Sequence, residues 1–574
     1  MGRPQGPFGC FGDRHEGSII QVRLKMKNIF KKSRELVFAK QGSVLSAAFV
    51  IMTMIIASRL LGLVRQRTLA SLFTADQLSI FFAAFRLPDL VFEILVFGTF
   101  SSAFIPVFSR LVRKDEKDAW LLSSRVMNVA LLIFCCLAVI FSILAPNIYR
   151  LIAPGYDPIQ QMQIVRLSRI LFLAQGLFVV SYILTSVLES LRIFFIPALS
   201  PLFYNLGIII ATVLLHQKLG LMAPVVGVLV GALFHLLIQL PFARKLGFRF
   251  SWSFKINDGV KSVGRLAWPR LIESIFLQLS KMGELYFSSI ISTAAYTFYT
   301  LGNSLQLLPV GLVGTSIAKA ALPTFSEKGE ARHEFLEVFW RTFYQMTFLI
   351  LPMSVAFIVL RIPLVRLVFG TDIFTWAATV QTGYVVSAFS LGMLFQTNNA
   401  LLSRAFFALH DTKTPVSTSI ISLLIIFGLD FLFIRGFGWP VWGLAFAYSL
   451  GMFFQFVALL VSFKKKIGHQ PRLFKWTFVK QAISASLSGS VMFLLIKLFD
   501  RSVWVKQLSF VALLDENIPF EKFVLDTRFT QNLLILTILV SLVGGVVYLG
   551  ASYLLKVREL TSFQKLLKRL LTAR

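Results

Sequence analysis

The sequence predicts an all-α polytopic membrane protein of about fourteen transmembrane helices, and three observations carry that prediction. Hydrophobic residues make up 56% of the chain and charged residues only 15%, with a mean hydropathy of +0.76; a soluble domain keeps about a quarter of its residues charged to face water. Apolar runs long enough to cross about 30 Å of hydrocarbon recur along the chain, among them Val126 to Leu144 and Phe194 to Leu215, neither with a charge. The period-two alternation of a membrane β-barrel is missing. Lipid cannot satisfy backbone N–H and C=O groups, so such segments must be helices.

Apolar runs read against their breakers place six spans near 43–64, 79–105, 126–147, 167–190, 194–216 and 221–242. Six more follow near 268–291, 297–324, 340–360, 378–402, 413–434 and 441–463, and a final pair near 480–499 and 532–555. The expected organisation is a basic extension over 1–42, a first lobe over 43–245, a second lobe over 246–466, and a C-terminal helix pair within 467–574 with an outer loop and a basic tail. The two lobes repeat each other. Phe81-Phe82-Ala83-Ala84-Phe85-Arg86 opens a segment closing with Ala103-Phe104-Ile105-Pro106-Val107-Phe108-Ser109. About 217 residues later Phe298-Tyr299-Thr300 opens one closing with Ala320-Ala321-Leu322-Pro323-Thr324-Phe325-Ser326, and Pro197 and Pro415 keep nearly the same offset. Six spans per unit give two pseudo-symmetric lobes of the same orientation, the plan of transporters whose substrate cavity lies between the lobes.

The net charge of +30, from 57 Lys+Arg against 27 Asp+Glu, is mostly topological, because basic residues collect in cytoplasmic loops. Lys464, Lys465, Lys466, the cluster Arg110 to Lys117 and both chain ends fit that pattern. Lys+Arg are richer in the loops on the side of the N-terminus, which places both termini in the cytoplasm. These charges are scattered among apolar spans, so nucleic acid is not the partner. Cys10, Cys135 and Cys136 form no disulfide framework or metal spacing, and residues 1–42 lack the apolar core of a signal peptide. Six histidines are scattered, mostly in loops or tails, and no phosphate-binding glycine loop is present, so no cofactor or metal is expected.

An ionisable side chain inside a span is costly and marks a functional candidate. Arg59 lies near the end of the first span with Arg65 about one turn on, and Arg86 lies in the second, followed by Pro88-Asp89 and Glu93. Arg270, Glu273, Lys281 and Glu284 fall on one broad face of the seventh span at about 100° per residue; Lys319 belongs to the eighth span and Arg404 to the end of the tenth. As a set, Arg59, Arg65, Arg86, Arg270, Lys281, Lys319 and Arg404 suit an anionic, phosphate-bearing headgroup, arginine offering bidentate contacts. The competing reading is that Arg59, Arg65 and Arg404 snorkel to the interface, and that Arg270–Glu273 and Lys281–Glu284 are internal ion pairs.

Four stretches carry a family resemblance: Ser58-Arg59-Leu60-Leu61-Gly62-Leu63-Val64-Arg65; Phe81 to Pro106; Leu191-Arg192 through Pro197-Ala198-Leu199-Ser200-Pro201 to Asn205; and Arg404-Ala405-Phe406-Phe407-Ala408-Leu409 with Asp411-Thr412-Lys413-Thr414-Pro415. Together they resemble the MurJ/MviN lipid II flippases of the multidrug/oligosaccharidyl-lipid/polysaccharide exporter superfamily. The resemblance implies fourteen helices, a central cationic cavity, a lipid-tail groove on the last two helices, and export of undecaprenyl-pyrophosphate-linked peptidoglycan precursor across a bacterial plasma membrane by alternating access. By motif position it assigns the headgroup to Arg59, Arg65 and Arg86. The chain departs from the family pattern at Gln66, at Ser79-Ile80, at Pro88 to Glu93, at Phe97-Gly98 and at Asn303-Ser304. Several cavity charges of the family are therefore absent; either Arg270, Lys281 and Lys319 replace them or the headgroup differs.

The expected function is a non-enzymatic lipid II flippase, with lipid II or a related polyprenyl-pyrophosphate glycan and the bilayer as partners and a monovalent cation or the membrane potential as driving force. The alternatives are an exporter of another polyprenyl-linked glycan, a cation-coupled drug exporter of the same superfamily, and, from a different class, a membrane-embedded glycosyl or acyl transferase. A drug exporter would need an acidic cavity, and a transferase would turn over a labelled lipid donor.

Overall fold

The computed structural model describes residues 44–97, 100–328, 331–467, 474–499, 529–561 and 564. The extension over 1–42 and most of the expected outer loop over 500–530 lie outside them. Every regular element among the described residues is helical. The first span is α1, Val44–Leu72.

The second expected span is broken into α2 (Ala75–Ala84), α3 (Arg86–Phe92), a π turn over Glu93–Phe97, and α4 (Phe100–Val112). Thr74 caps α2 in a reciprocal capping box with Gln77, which satisfies two orphan donors. Pro88 has no N–H, so the Ala84 carbonyl four residues earlier loses its helical donor. The Tyr149 hydroxyl lies 3.0 Å from that carbonyl and 3.2 Å from the Ala83 carbonyl, and supplies the missing donor.

Then follow α5 (Glu116–Ile152), α6 (Pro158–Ser190), α7 (Phe195–Leu219), α8 (Met222–Lys245) and α9 (Asp258–Ile291). The eighth expected span is also broken, into α10 (Ala295–Pro309), a π turn over Val310–Thr315 and α11 (Ser316–Glu327). The two π turns begin at 93 and 310, the offset of the sequence repeat of about 217 residues. The rest are α12 (Arg332–Val359), α13 (Arg361–Phe369), α14 (Trp376–Ala408), α15 (Lys413–Phe431, extended by a π turn over Leu432–Gly436), α16 (Trp442–Ile467), α17 (Phe474–Phe499) and α18 (Thr530–Leu554).

Among the described residues, eleven helices are long and apolar enough to cross a membrane. The other three expected spans, α1, α2–α4 and α9, are helical but carry the arginines, acids or breaks from which the site is built.

Helices α5–α8 pack on one another and α1 packs on α7; α14 packs against α10, α12 and α16, and α15 packs on α16. Helix α9 touches α4 and α5 on one side and α15 on the other, so it joins the two groups. Helices α17 and α18 pair with each other, and α17 leans on α12. Within lipid this cohesion comes from close van der Waals packing rather than removal from water. Helices α7 and α8 illustrate it: a Cβ built on Gly207 would lie 2.6 Å from the Gly231 Cα, so their backbones meet only because both residues are glycine.

Candidate functional site

The site lies where the first half meets the second. Arg65 on α1 holds its guanidinium over the Tyr204 ring of α7 at 5.9 Å. Arg86, the first residue of α3, holds its own over the Tyr296 ring of α10 at 5.8 Å, and its Nη2 lies 3.9 Å from Asp89 Oδ2. Gln175 of α6 donates to Asp89 Oδ1 at 2.7 Å, which fixes the acid. Arg65, Arg86, Asp89, Gln175 and Tyr204 line one cavity of about 240 Å³ together with Thr300. The Nε atoms of Arg65 and Arg86 are buried there without a hydrogen-bond partner. A buried donor without an acceptor costs about 1–3 kcal/mol, so the cavity is prepared for an anion.

The break at Phe85 positions this chemistry. Were α2 and α3 continuous, Pro88 would leave the Ala84 carbonyl unpaired inside the bundle; the interruption, sealed by Tyr149, starts a new helix with Arg86 at its first residue and Asp89 in its first turn.

One turn further on, Glu93 opens the π turn and accepts from Lys281 Nζ of α9 at 2.8 and 3.1 Å, and from Gln278. This corrects the sequence expectation of a Lys281–Glu284 pair: Lys281 crosses to Glu93 of the second span. On helix α9 the two residues are one turn apart, but the second span comes close enough to compete, which helical spacing alone cannot reveal.

Arg59 also bridges the halves, but at a second place. Its Nη1 donates to the Leu307 carbonyl of α10 at 2.7 Å. The guanidinium lies on Gly311 in the second π turn, where a Cβ would fall 1.8 Å from Nη1; glycine is required by the close approach. Arg59 lines a separate cavity of about 380 Å³ with Tyr182, Thr185, Glu189, His235 and Pro197. His235, within the sixth expected span, is buried in α8, its Nδ1 2.6 Å from Ser181 Oγ and its ring stacked on Tyr182.

The remaining sequence candidates are not gathered here. Arg404 is half-buried near the end of α14 with its guanidinium over Phe407 of the same helix at 5.7 Å, and Lys319 is exposed on α11. The side chains of Arg270 and Glu273 lie outside the described residues. The partners that sequence reading passed over are Gln175, Tyr204 and Tyr296. Their one signal is a polar side chain within an apolar run, as Gln175 has between Leu171 and Leu177.

Further bonds tie the two halves on one face. Arg67 Nη1 donates to the Leu367 carbonyl at 2.7 Å, Thr371 to the Ala70 carbonyl at 2.9 Å, and Thr297 to the Ala75 carbonyl at 2.6 Å. Ser304 donates to Gln66 Oε1 at 2.8 Å, and Thr293 to Asp76. Elsewhere, Asn128 donates at 2.8 Å to the Ser251 carbonyl in the segment that joins the halves, and Lys466 pairs with Asp411 at 2.7 Å within the second half.

A repeated bundle of membrane helices, with charged side chains meeting at the seam between its halves, defines a two-lobed transporter fold. Comparison with known proteins makes this specific. The family model described as lipid II flippase MurJ matches residues 69–514, and the chain belongs to that family. It is 28% identical to the probable lipid II flippase MurJ of Buchnera aphidicola subsp. Acyrthosiphon pisum, over 65% of this chain and 75% of that one. It is 27% identical to the Thermotoga maritima counterpart, over 76% of this chain and 88% of that one. Among solved structures, a lipid II flippase MurJ in an inward closed conformation aligns with a TM-score of 0.68 at 22% identity, covering 87% of this chain and 98% of that chain. A multidrug resistance MATE family transporter in an inward-facing conformation aligns with a TM-score of 0.59 at 13% identity, covering 73% of this chain and 98% of that chain. The sequence expectation of family and of a helical, multi-pass membrane fold is met.

Proposed function

We propose that this chain flips lipid II, or a closely related polyprenyl-pyrophosphate glycan, across the bacterial inner membrane, and that the pyrophosphate binds in the seam cavity against Arg65 and Arg86. The observation that carries this reading is the pair of buried guanidiniums whose Nε donors have no acceptor. Membership of the MurJ family supports the substrate. Each arginine–phosphate bond contributes about 1.5–3 kcal/mol, and the tyrosine faces hold the guanidiniums while the cavity is empty.

Fourteen spans follow if α1, α2–α4 and α9 are counted with the eleven apolar helices. The positive-inside rule then puts both termini in the cytoplasm. The face laced by Arg67, Thr371, Thr297 and Ser304 becomes the outer one, so the bonds described hold the lobes together outside, and transport requires them to break as the lobes rock. Arg59 and the Glu93–Lys281 pair are further contacts across the seam in this scheme. No chemical step on the substrate is needed. For the driving force we assign a monovalent-cation gradient or the membrane potential; proteoliposome assays with each imposed alone separate the two.

The test is binding of labelled lipid II to the purified full-length protein, wild type beside Arg65→Ala, with undecaprenyl phosphate as the control ligand. Wild type is expected to prefer lipid II, and Arg65→Ala to bind it at least about tenfold more weakly. Equal binding by both proteins overturns the site. Equal binding of the control by wild type overturns the headgroup assignment.

A further inference from the structure

The seam cavity and the Arg59 cavity stand one above the other on the same three helices. Gln66 of α1, Gln175 of α6 and Tyr204 of α7 line the first; Arg59, Tyr182 and Pro197 of those helices line the second, of about 380 Å³. Each step is seven residues, or about 10 Å along the helix axis. It runs toward the start of α1 and α7, the first and fifth spans, and toward the end of α6, the fourth, which crosses the other way. All three helices therefore displace the second cavity in one direction, the cytoplasmic one in the orientation proposed above. A headgroup whose pyrophosphate fills the 240 Å³ at the seam has a second chamber for the rest of its bulk.

That chamber holds an acid as well as a cation. Glu189 stands a further seven residues along α6, so Gln175, Tyr182 and Glu189 share one stripe of the helix. Among the described residues no acid acts on Arg59 and no cation acts on Glu189. Nor does Glu189 serve its own helix, because it lies in the last turn of α6, where the carbonyl ends disfavour an acid. The wall between the two charges is set from behind. Thr185 donates to Gln239 Oε1 at 2.9 Å, Gln239 Nε2 donates to Ser181 Oγ at 3.0 Å, and Ser181 holds His235 against Tyr182. A satisfied network of this kind keeps its shape without a ligand.

An acid and a cation in one chamber, not paired with each other, suit a zwitterionic ligand, each charge making a charge-assisted bond. Glu189 lies fourteen residues from Gln175, or about 21 Å along α6. One sugar and a peptide of a few extended residues, at about 3.4 Å each, cover that gap. We propose that this chamber takes a peptide arm of the transported headgroup, with a free side-chain ammonium of the arm on Glu189 and a carboxylate of the arm on Arg59. With the pyrophosphate at the seam, on which this assignment rests, the substrate narrows to a polyprenyl-pyrophosphate glycan that carries an amine. A glycan without one leaves Glu189 unanswered.

The experiment measures binding of three lipids to the purified full-length protein: lipid II with a free side-chain amine on its peptide, the same lipid acetylated at that amine, and undecaprenyl pyrophosphate. Wild type is expected to bind the free amine about tenfold more tightly than the acetylated form, and Glu189→Gln to lose that preference. Glu189→Asp keeps the charge and is expected to keep part of the preference, which a residue needed only for folding would not explain. Ala198→Phe narrows the chamber beside Pro197 but leaves the carboxylate, and is expected to erase the preference too; it decides the matter if Glu189→Gln fails to fold. Equal binding of the two forms by wild type overturns the proposal, as does a preference that survives Glu189→Gln. Undecaprenyl pyrophosphate has no peptide arm and reads the seam alone. If Arg65→Ala binds it as wild type does, the pyrophosphate reading fails; if its binding needs Arg65 while wild type ignores the amine, only the peptide chamber falls.

Discussion

The two broken spans share one backbone and carry opposite chemistry. In the first, Arg86 and Asp89 sit three residues apart and Glu93 opens the π turn. At the same offset in the second stand Asn303, Gln306 and Val310, and Gln306 Nε2 donates to Asn303 Oδ1 at 2.9 Å. A charged pair in one half is thus a neutral amide pair in the other. The amides largely answer each other, and Gly302 beside them lets α14 approach so closely that a Cβ would lie 2.6 Å from Val385 Cγ1. The charged pair leaves donors free and keeps a cavity. The comparison teaches that the break is a structural device common to both halves, while the charges placed on it make one half the binding half.

The sharpest way to break this comparison is to make the first half resemble the second. Arg86→Asn with Asp89→Gln is expected to abolish rescue of a strain depleted of its own lipid II flippase, and to weaken lipid II binding by at least about tenfold. Its thermal midpoint in detergent should move little, since the protein already carries that amide pair once. Unchanged rescue would remove Arg86 from the site.

The converse exchange, Asn303→Arg with Gln306→Asp, should leave lipid II binding intact but lower stability by about 2–4 kcal/mol, because Gln306 is 1% exposed and the closed packing offers no water to a carboxylate. A thermal melt beside the binding assay reads both effects. If this variant gained a second lipid II site instead, the two halves would be equivalent.

The Glu93–Lys281 pair probes the seam between them. Glu93→Gln leaves Lys281 without its counter-charge and is expected to open the seam, seen as longer distances between nitroxide labels at Ile159 and Ile373. Replacing both partners by leucine should recover much of the closed population, because the cost lies in the unpaired charge. Equal distances in all three proteins would show that the pair does not hold the lobes.

The smallest effect concerns the loops that follow α6 and α14. Each helix ends in a non-glycine residue of positive φ, Arg192 at 62° and His410 at 56°, and each closes with a six-residue backbone bond, Ile193 N–H to Leu188 O and Asp411 N–H to Phe406 O. The second is further locked. Burial pushes the Asp411 carboxyl up, but bonds from Lys466 and Thr414 outweigh it and bring it down to about 2. A carboxylate lowered in the folded state stabilises above its unfolded value of about 4 and loses that contribution as pH falls toward 2. Asp411→Asn should therefore lower the thermal midpoint by a degree or two at pH 6, with the gap closing below pH 4.

Sequence alone settled the class of the protein, because lipid tolerates no unpaired backbone and long apolar runs have one solution there. It also settled the internal repeat, since the offset that matches Phe81 with Phe298 matches the two π turns. Arg59, Arg65, Arg86 and Lys281 were legible as candidates because a charge in a span is expensive wherever it points. What they touch was decided by tertiary structure. Helical periodicity offered Lys281 its neighbour Glu284, yet the approach of a second span gave it Glu93. Arg59, one motif with Arg65 in sequence, turns to a different cavity because the two lie six residues apart, about 240° around the helix. Gln175, Tyr204 and Tyr296 carried only the weak signal of a polar side chain within an apolar run; they matter through the surfaces that packing brings to the arginines.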